Sequence, residues 1–384
     1  MQLELSAEDQ EFREKVRTFF TTEVPEEIRE AVREGRELTK EQFVESMQVL
    51  NAAGLAVPNW PTEWGGQDWT ELQRHIWHEE LQAASVPLPL AFNATMIGPV
   101  IAHFGTDEQK RKFLPPTANL DIWWSQGFSE PDAGSDLASL RTTAVRDGDG
   151  WVVNGQKTWT TLGQYGDWIF TLVRTDPDVK KQAGISMLLI DMTTPGVEVR
   201  PIELIDGGHE VNEVWFEDVR VPGENLVGDL NGGWTIAKFL LGNERVGVAP
   251  VGQVKGALAR AKEKGAAVLA DDPLLRARVA ELENELLALE LTALRVVARS
   301  ADGAPHPASS VLKLKGSELQ QAVSELTLDL AGSGALVFGA QEGSGLEEWA
   351  QRAAPTYLNF RKASIYGGSN EVQRQIIAKT ILGL

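Results

Sequence analysis

The chain contains no cysteine. That excludes disulfides, thiolate metal sites and cysteine nucleophiles. Basic residues are few beside acidic ones, 36 against 55, and the formal charge is −19. A surface of that sign does not attract nucleic acid or anionic lipid, so neither is expected as a partner. An anionic ligand would have to be met by local basic groups and helix N-termini. No uncharged apolar run approaches the length of a bilayer span, and no membrane insertion is expected. The opening "MQLELSAEDQEFREK" lacks a basic segment followed by a long apolar one, so a soluble cytoplasmic protein without a secretory signal is the expectation. The five histidines show no metal-ligand spacing, and no metal is expected.

What is present describes a globular protein. Apolar residues make up 42% and charged residues 24% of 384 positions, which argues against disorder and for two or three domains. Residues 1–122 read as helical: Ser6-x-x-Asp9 resembles a capping box, and Phe12, Val16 and Phe19 follow at helical spacing. Residues 123–230 change to short β-rich runs, with Asp-Gly and Asn-Gly pairs at 147, 149 and 154 as hairpin signals, and predict a small antiparallel barrel or sandwich. Residues 231–384 are helical again. Leu275, Val279, Leu282, Leu286, Leu289, Ala293 and Val296 step by four and three, opened by Asp272-Pro273 and closed by Gly303 and Pro305. Leu312, Gly316, Leu319, Val323, Leu326 and Leu330 repeat the rhythm, which predicts an antiparallel bundle. The fold class is α+β: a helical domain, a β domain and a four-helix bundle.

One carboxylate interrupts an apolar stripe. A single helix is expected from about Gly233 to Lys264, with Ala237, Leu241, Glu244, Val248 and Val251 on its inward face. Glu244 stands where a hydrophobe is expected, with Gly242 and Gly247 leaving room beside it. A carboxylate in an apolar, ligand-sized space has a raised pKa and can act as a general base. On spacing alone, the plainer reading stays ahead: an ion pair with an arginine of another helix.

Three stretches are more specific. "GFSEPDAGSDLASLRTTA" (127–144) has small and hydroxyl residues that bring backbone amides close to a polar ring or phosphate. "WVVNGQKTWTTLGQYGDWIF" (151–170) is a turn followed by an exposed Trp and Thr pair; a plain hairpin with an Asn-Gly turn and a buried tryptophan explains the turn but not the clustering of Ser129, Ser135 and Thr161. "VWFEDVRVPGENLVGDLNGGW" (214–234) follows in order. Together they resemble the acyl-CoA dehydrogenase family of flavoproteins over nearly the whole chain. Within that family "DGGHEVNEV", "LLGNERVG" and "SIYGGSNE" look most like the large subunit of pimeloyl-CoA dehydrogenases.

The resemblance implies FAD as cofactor and dehydrogenation of an acyl-CoA in β-oxidation-type lipid metabolism. It implies flavin contacts from Phe128, Ser129, Trp159, Thr161, Ser369 and Glu371, with Ser135 along the pantetheine channel and shared by both ligands. Leu241, Arg245, Tyr366 and Gly367 would line the acyl side, and Arg361 would precede the terminal loop. In the commonest family pattern a glutamate follows the loop tyrosine and removes the α-proton. Here that position is Gly367, which keeps only its backbone N–H for the thioester oxygen. Some members carry the base on the first helix of the C-terminal bundle, before an arginine, which is Glu244 before Arg245. An electron-transfer flavoprotein or similar acceptor is the implied redox partner. The family's Arg-x-x-Phe-Gly element is absent from "RAKEKGAAVLADDPLLR". Either Lys262 and Lys264 substitute, or a related subunit supplies it. A homo- or hetero-oligomer follows, a dimer or a tetramer, the heteromeric form pairing two copies of each subunit. The alternative function is a non-catalytic or half-site subunit completing a flavin site; an oxidase or monooxygenase on the same fold is a third reading.

Overall fold

A computed structural model describes residues 5–244, 250–297, 308–337 and 345–384, leaving out the side chains of 242–244 and 297. The first part is helical: α1 (Ala7–Thr22), α2 (Glu26–Glu34), α3 (Lys40–Ala52), α4 (Glu71–Ala83), α5 (Gly98–Phe104) and α6 (Asp107–Ala118). The Ser6 hydroxyl accepts from the Asp9 N–H at 3.1 Å and caps α1. Thr39, Thr70 and Thr106 cap α3, α4 and α6, each with a glutamine three residues on returning the bond. Val16 and Phe20 of α1 are buried with Ile76, Trp77 and Leu81 of α4. The buried Asn93 side chain donates to the carbonyls of Thr117 and Ile122 and accepts from the Trp124 N–H, tying this core to the first strand.

That strand opens an eight-stranded sheet: β1 (Trp124–Gly127), β2 (Thr143–Asp147), β3 (Gly150–Thr161), β4 (Trp168–Arg174), β5 (Ile185–Asp191), β6 (Val197–Ile202), β7 (Val211–Val221) and β8 (Leu226–Val227). The order is β6-β7-β3-β2-β4-β5-β8, with β1 beside β4. Most pairings are antiparallel as expected, but β1 and β2 both meet β4 in parallel, so the sheet is mixed. Asp147-Gly148 does lie in a tight hairpin, where Asp147 pairs with Gly150 and Gly148 takes φ +61°. Asn154-Gly155 does not make a turn. It sits within β3 at a register shift against β7, and Gly155 is needed because a Cβ there would meet the Thr142 backbone at 2.6 Å. Strands β4 and β5 are buried on both faces, with Phe170, Leu172 and Met187 in the helical core and Ile169, Val173 and Leu188 in the sheet's own. This is why they read as unbroken apolar runs.

The helix expected from Gly233 to Lys264 is two helices, α7 (Gly233–Glu244) and α8 (Val251–Lys264), with Pro250 as the N-cap of the second. Proline has no N–H to give an i−4 carbonyl, and it drives the preceding residue out of helical space. The two halves serve different cores: Ile236, Ala237 and Leu240 pack into the N-terminal core, whereas Val254, Leu258 and Ala261 pack into the bundle. After α9 (Ala266–Asp271) the bundle continues with α10 (Pro273–Val297) and α11 (Ser309–Ala331). Asp272 caps α10 by accepting from the N–H of Leu274 and Leu275. Val279, Leu282, Leu286 and Leu289 are buried against Leu312, Leu319, Val323, Leu326 and Leu330, with Leu275, Ala293 and Val296 partly buried at the seam ends. Each such side chain contributes roughly 1.5–3 kcal/mol of burial. Gly303 and Pro305 lie outside the described residues. Short helices α12 (Glu348–Gln351) and α13 (Ala353–Asn359) lead to α14 (Asn370–Ile377), which packs on α11.

Candidate active site

The terminal loop has its conformation set by two glycines. Gly367 and Gly368 take φ +62° and +86°, a left-handed pair that side-chain-bearing residues rarely adopt. Ser369 then caps α14 by accepting from the Val372 N–H at 3.4 Å. A Cβ on Gly368 would meet Gln373 Nε2 at 2.7 Å. That nitrogen donates to the carbonyls of Gly367 and Gly368 at 3.4 Å, and Gln373 Oε1 is buried with no partner among the described residues. Below, Asn370 Oδ1 accepts from Lys313 Nζ at 3.2 Å and Ser317 Oγ at 3.0 Å, and Lys313 also donates to the Ala363 carbonyl. The loop is therefore held from its buried side, while Tyr366 and Gly367 face outward. Glu371 is exposed in the first turn of α14; its own backbone N–H and the Ser369 hydroxyl hold its carboxyl below the usual range. Arg361 turns inward, donating to the Tyr357 and Gln321 carbonyls and the Ser324 hydroxyl, and so braces α11.

On the sheet, Trp159 is 58% exposed although Thr158 and Thr160 beside it are buried. Its φ is +60°, at the register shift of β3 against β7 between Lys157 and Thr160. A tryptophan in left-handed space costs of order 1–3 kcal/mol, and such strain gathers where a ligand is met. Thr161 is half-buried and pairs with Val211. The Ser129 carbonyl accepts from the Thr158 N–H at 2.9 Å, which places Ser129 beside β3 near Trp159. Phe128 is buried edge-to-face on Phe170, with centroids 5.9 Å apart, so its ring is committed to the core. Ser135 is exposed in the loop that follows.

The segment 203–210 joins these two places. The Glu210 carbonyl accepts from the Leu162 N–H at 2.7 Å, just past Thr161. Asn359 donates to Asp206 at 2.6 Å and to Glu210 at 3.2 Å, and Lys362 pairs with Glu210. His209 in the same segment hydrogen-bonds Asn212 Oδ1 through Nε2 at 2.7 Å, a satisfied structural contact. Leu241 is half-buried against the N-terminal core, and Glu244 lies in α7. The Glu244 side chain is not among the described ones, and Arg245 lies outside the described residues.

Sequence reasoning missed a charged pair at this site. Lys157 Nζ lies 2.7 Å from Glu130 Oε1, with the two side chains 0% and 7% exposed. Burial pulls the Lys157 ammonium down to about 8, with Glu130 pulling the other way. For Glu130, burial pushes upward, but the Lys157 charge and hydrogen bonds from Lys157, Arg141 and Thr142 outweigh it and the carboxyl is lowered. The signal was available, because both residues sit inside the two most specific stretches. No cluster of metal-ligating side chains occurs among the described residues.

Family models described as the N-terminal, middle and C-terminal domains of acyl-CoA dehydrogenase match residues 6–121, 125–219 and 231–382. The chain belongs to the acyl-CoA dehydrogenase family. It is 39% identical to acyl-CoA dehydrogenase IpdE1 of Mycobacterium tuberculosis, over 88% of this chain and 86% of that protein. It is 34% identical to acyl-CoA dehydrogenase FadE26 of the same organism, over 100% and 99%. Among solved structures it superposes with TM-score 0.85 on a chain of the ChsE4-ChsE5 complex from Mycobacterium tuberculosis, 34% identical over 100% of this chain and 99% of that one. A chain of the Tcur3481-Tcur3483 steroid ACAD gives TM-score 0.85 at 30% identity over 100% and 99%. This acyl-CoA dehydrogenase is thus an FAD-dependent oxidoreductase with the helix, sheet, helix plan of its relatives. Its residues fit the cofactor: Trp159 offers a strained, exposed indole to a planar ring, and Gln373 Oε1 under the Gly-Gly loop is a buried acceptor with no partner among the described residues. No helix among the described residues is long and apolar enough to cross a membrane.

Proposed function

We propose that this acyl-CoA dehydrogenase removes the α-proton of its acyl-CoA with Glu244 and polarises the thioester with the Gly367 N–H, giving a trans-2-enoyl-CoA. The observation that carries the reading is the strained, exposed Trp159, coupled through Glu210 to the segment that leads to the Gly367-Gly368 turn. Ser129, Trp159, Thr161, Ser369 and Glu371 hold FAD, Phe128 contributes through its backbone, and Ser135 follows the pantetheine. Bound FAD supplies the acceptor for the β-hydrogen, which leaves as hydride. Glu244 is the base because position 367 is a glycine and cannot take a proton. An α-proton beside a thioester is weakly acidic, so the base works only while donors such as the Gly367 N–H gain strength on the carbonyl oxygen as enolate character develops. Arg245 and Leu241 border the acyl chain, with Tyr366 closing the other side. An electron-transfer flavoprotein reoxidises the protein, which works in the cytoplasm.

A second reading has support of its own. The ChsE4-ChsE5 and Tcur3481-Tcur3483 structures are of complexes between two different chains, and this chain lacks the family's Arg-x-x-Phe-Gly element. Assembly with a related subunit that completes the flavin site follows from both. The test is a panel of acyl-CoA thioesters, a steroid-derived one included, offered with a dye acceptor to the purified chain alone and with its native copurifying subunit. Bleaching of bound flavin by an acyl-CoA in the isolated chain supports the complete enzyme. Bleaching only in the two-subunit preparation supports the half-site reading, and no bleaching in either rejects dehydrogenation.

A further inference from the structure

The pair Glu130–Lys157 is built to direct the backbone around it. Both side chains are out of water, and burying two ions is costly enough that an apolar pair of the same volume would often serve stability as well. What apolar residues cannot do is bond in fixed directions. Lys157 Nζ donates to the Phe128 carbonyl at 3.2 Å as well as to Glu130. The Glu130 carboxylate accepts from the N–H of Arg141 at 2.6 Å and of Thr142 at 2.9 Å. One residue on from Lys157, the Thr158 N–H donates to the Ser129 carbonyl, and one further stands Trp159 in its left-handed backbone. Ser129 thus has its neighbours Phe128 and Glu130 fastened to Lys157, two positions before the strained indole.

We infer that Glu130 and Lys157 are positioning residues for the cofactor: the pair locks the Phe128–Ser129 segment to the bulge of β3, so that Ser129 and Trp159 are presented together to the isoalloxazine. This rests on the flavin reading given above. The experiment measures FAD binding to flavin-stripped full-length protein by fluorescence quenching, alongside thermal melting and the visible spectrum of the reloaded form. Lys157→Met should weaken FAD binding roughly tenfold or more, with Lys157→Arg recovering most of the loss. The double change Glu130→Met with Lys157→Met removes the isolated buried charge, so it should melt above Lys157→Met while still binding FAD as weakly as that variant and with a shifted visible spectrum. A purely structural pair would restore both. If the double variant binds FAD as tightly as the unsubstituted chain, the inference is overturned while the flavin reading stands. An unsubstituted chain that takes up no FAD, alone or with its copurifying subunit, overturns both.

Discussion

The backbone N–H of Leu162 donates to the carbonyl of Glu210 at 2.7 Å, and through that bond the strand bearing Trp159 is coupled to the segment leading to Gly367. The coupling continues in side chains, since Asn359 holds Asp206 and Glu210 together and Lys362 neutralises Glu210. Asn359→Ala leaves two carboxylates facing each other without their shared donor, a cost of about 1–3 kcal/mol. Melting temperature should fall modestly, and kcat should fall with it because Gly367 loses its reference to the sheet. Steady-state kinetics with the flavin content of each preparation held equal is the check; an unchanged kcat would separate the latch from the site.

Trp159 and Trp60 predict opposite responses to truncation. Trp60 is buried and donates from Nε1 to the Ala94 carbonyl at 2.7 Å, so Trp60→Ala should cost about 3–5 kcal/mol of stability. Trp159 is exposed and strained, so Trp159→Gly should cost the flavin-free protein nothing, because glycine takes φ +60° freely. Its loss should appear in FAD affinity. Urea unfolding of both flavin-free variants, followed by FAD titration, measures the contrast.

Acid should destabilise the helical domain through α4. Burial lowers His78 to about 4, with His75 beside it lowering it further, and His75 itself is lowered mainly by burial. The unfolded chain therefore binds protons that the folded chain does not as pH falls from 6.5 towards 4. Stability from this source is fully present above 6.5 and is lost across that window, by up to about 1.4 kcal/mol per pH unit for each histidine. His78→Gln should flatten the fall in unfolding free energy between pH 6.5 and 4. Equal slopes in the two proteins would remove His78 from the account.

Much of this was legible before any coordinates. The bundle seam from Leu275 to Leu330 was readable because a helix between two partners repeats every 3.5 residues, and the exposure of Trp159 because its stretch resembles a family motif, whereas its left-handed backbone leaves no local pattern. The break at Pro250 was masked by an apolar stripe that runs across it, since periodicity says nothing about which core each half enters. The parallel pairings of β1 and β2 with β4 join residues tens of positions apart, beyond the reach of local pattern. The Glu130–Lys157 pair was overlooked for a related reason: a lysine in a strand reads as solvated until its long-range partner is known.

Glu244 carries the sharpest prediction. Leu240 and Leu241, the last side chains of α7 among the described ones, pack into and against the N-terminal core, and Glu244 follows them in the same helix. Gly367 in the terminal loop, with φ +62°, has no side chain to accept a proton. Glu244→Gln keeps the shape and a hydrogen-bonding head but cannot accept the α-proton. The rate of flavin reduction by acyl-CoA should therefore fall by roughly 10²- to 10⁴-fold, the usual weight of a general base. FAD content and acyl-CoA binding should stay near those of the unsubstituted protein, because the change touches the proton and not the fold. Stopped-flow bleaching of the bound flavin reads the step directly. A variant that is reduced at the original rate would move the base away from α7, and one that loses its flavin would make Glu244 a structural residue of the site.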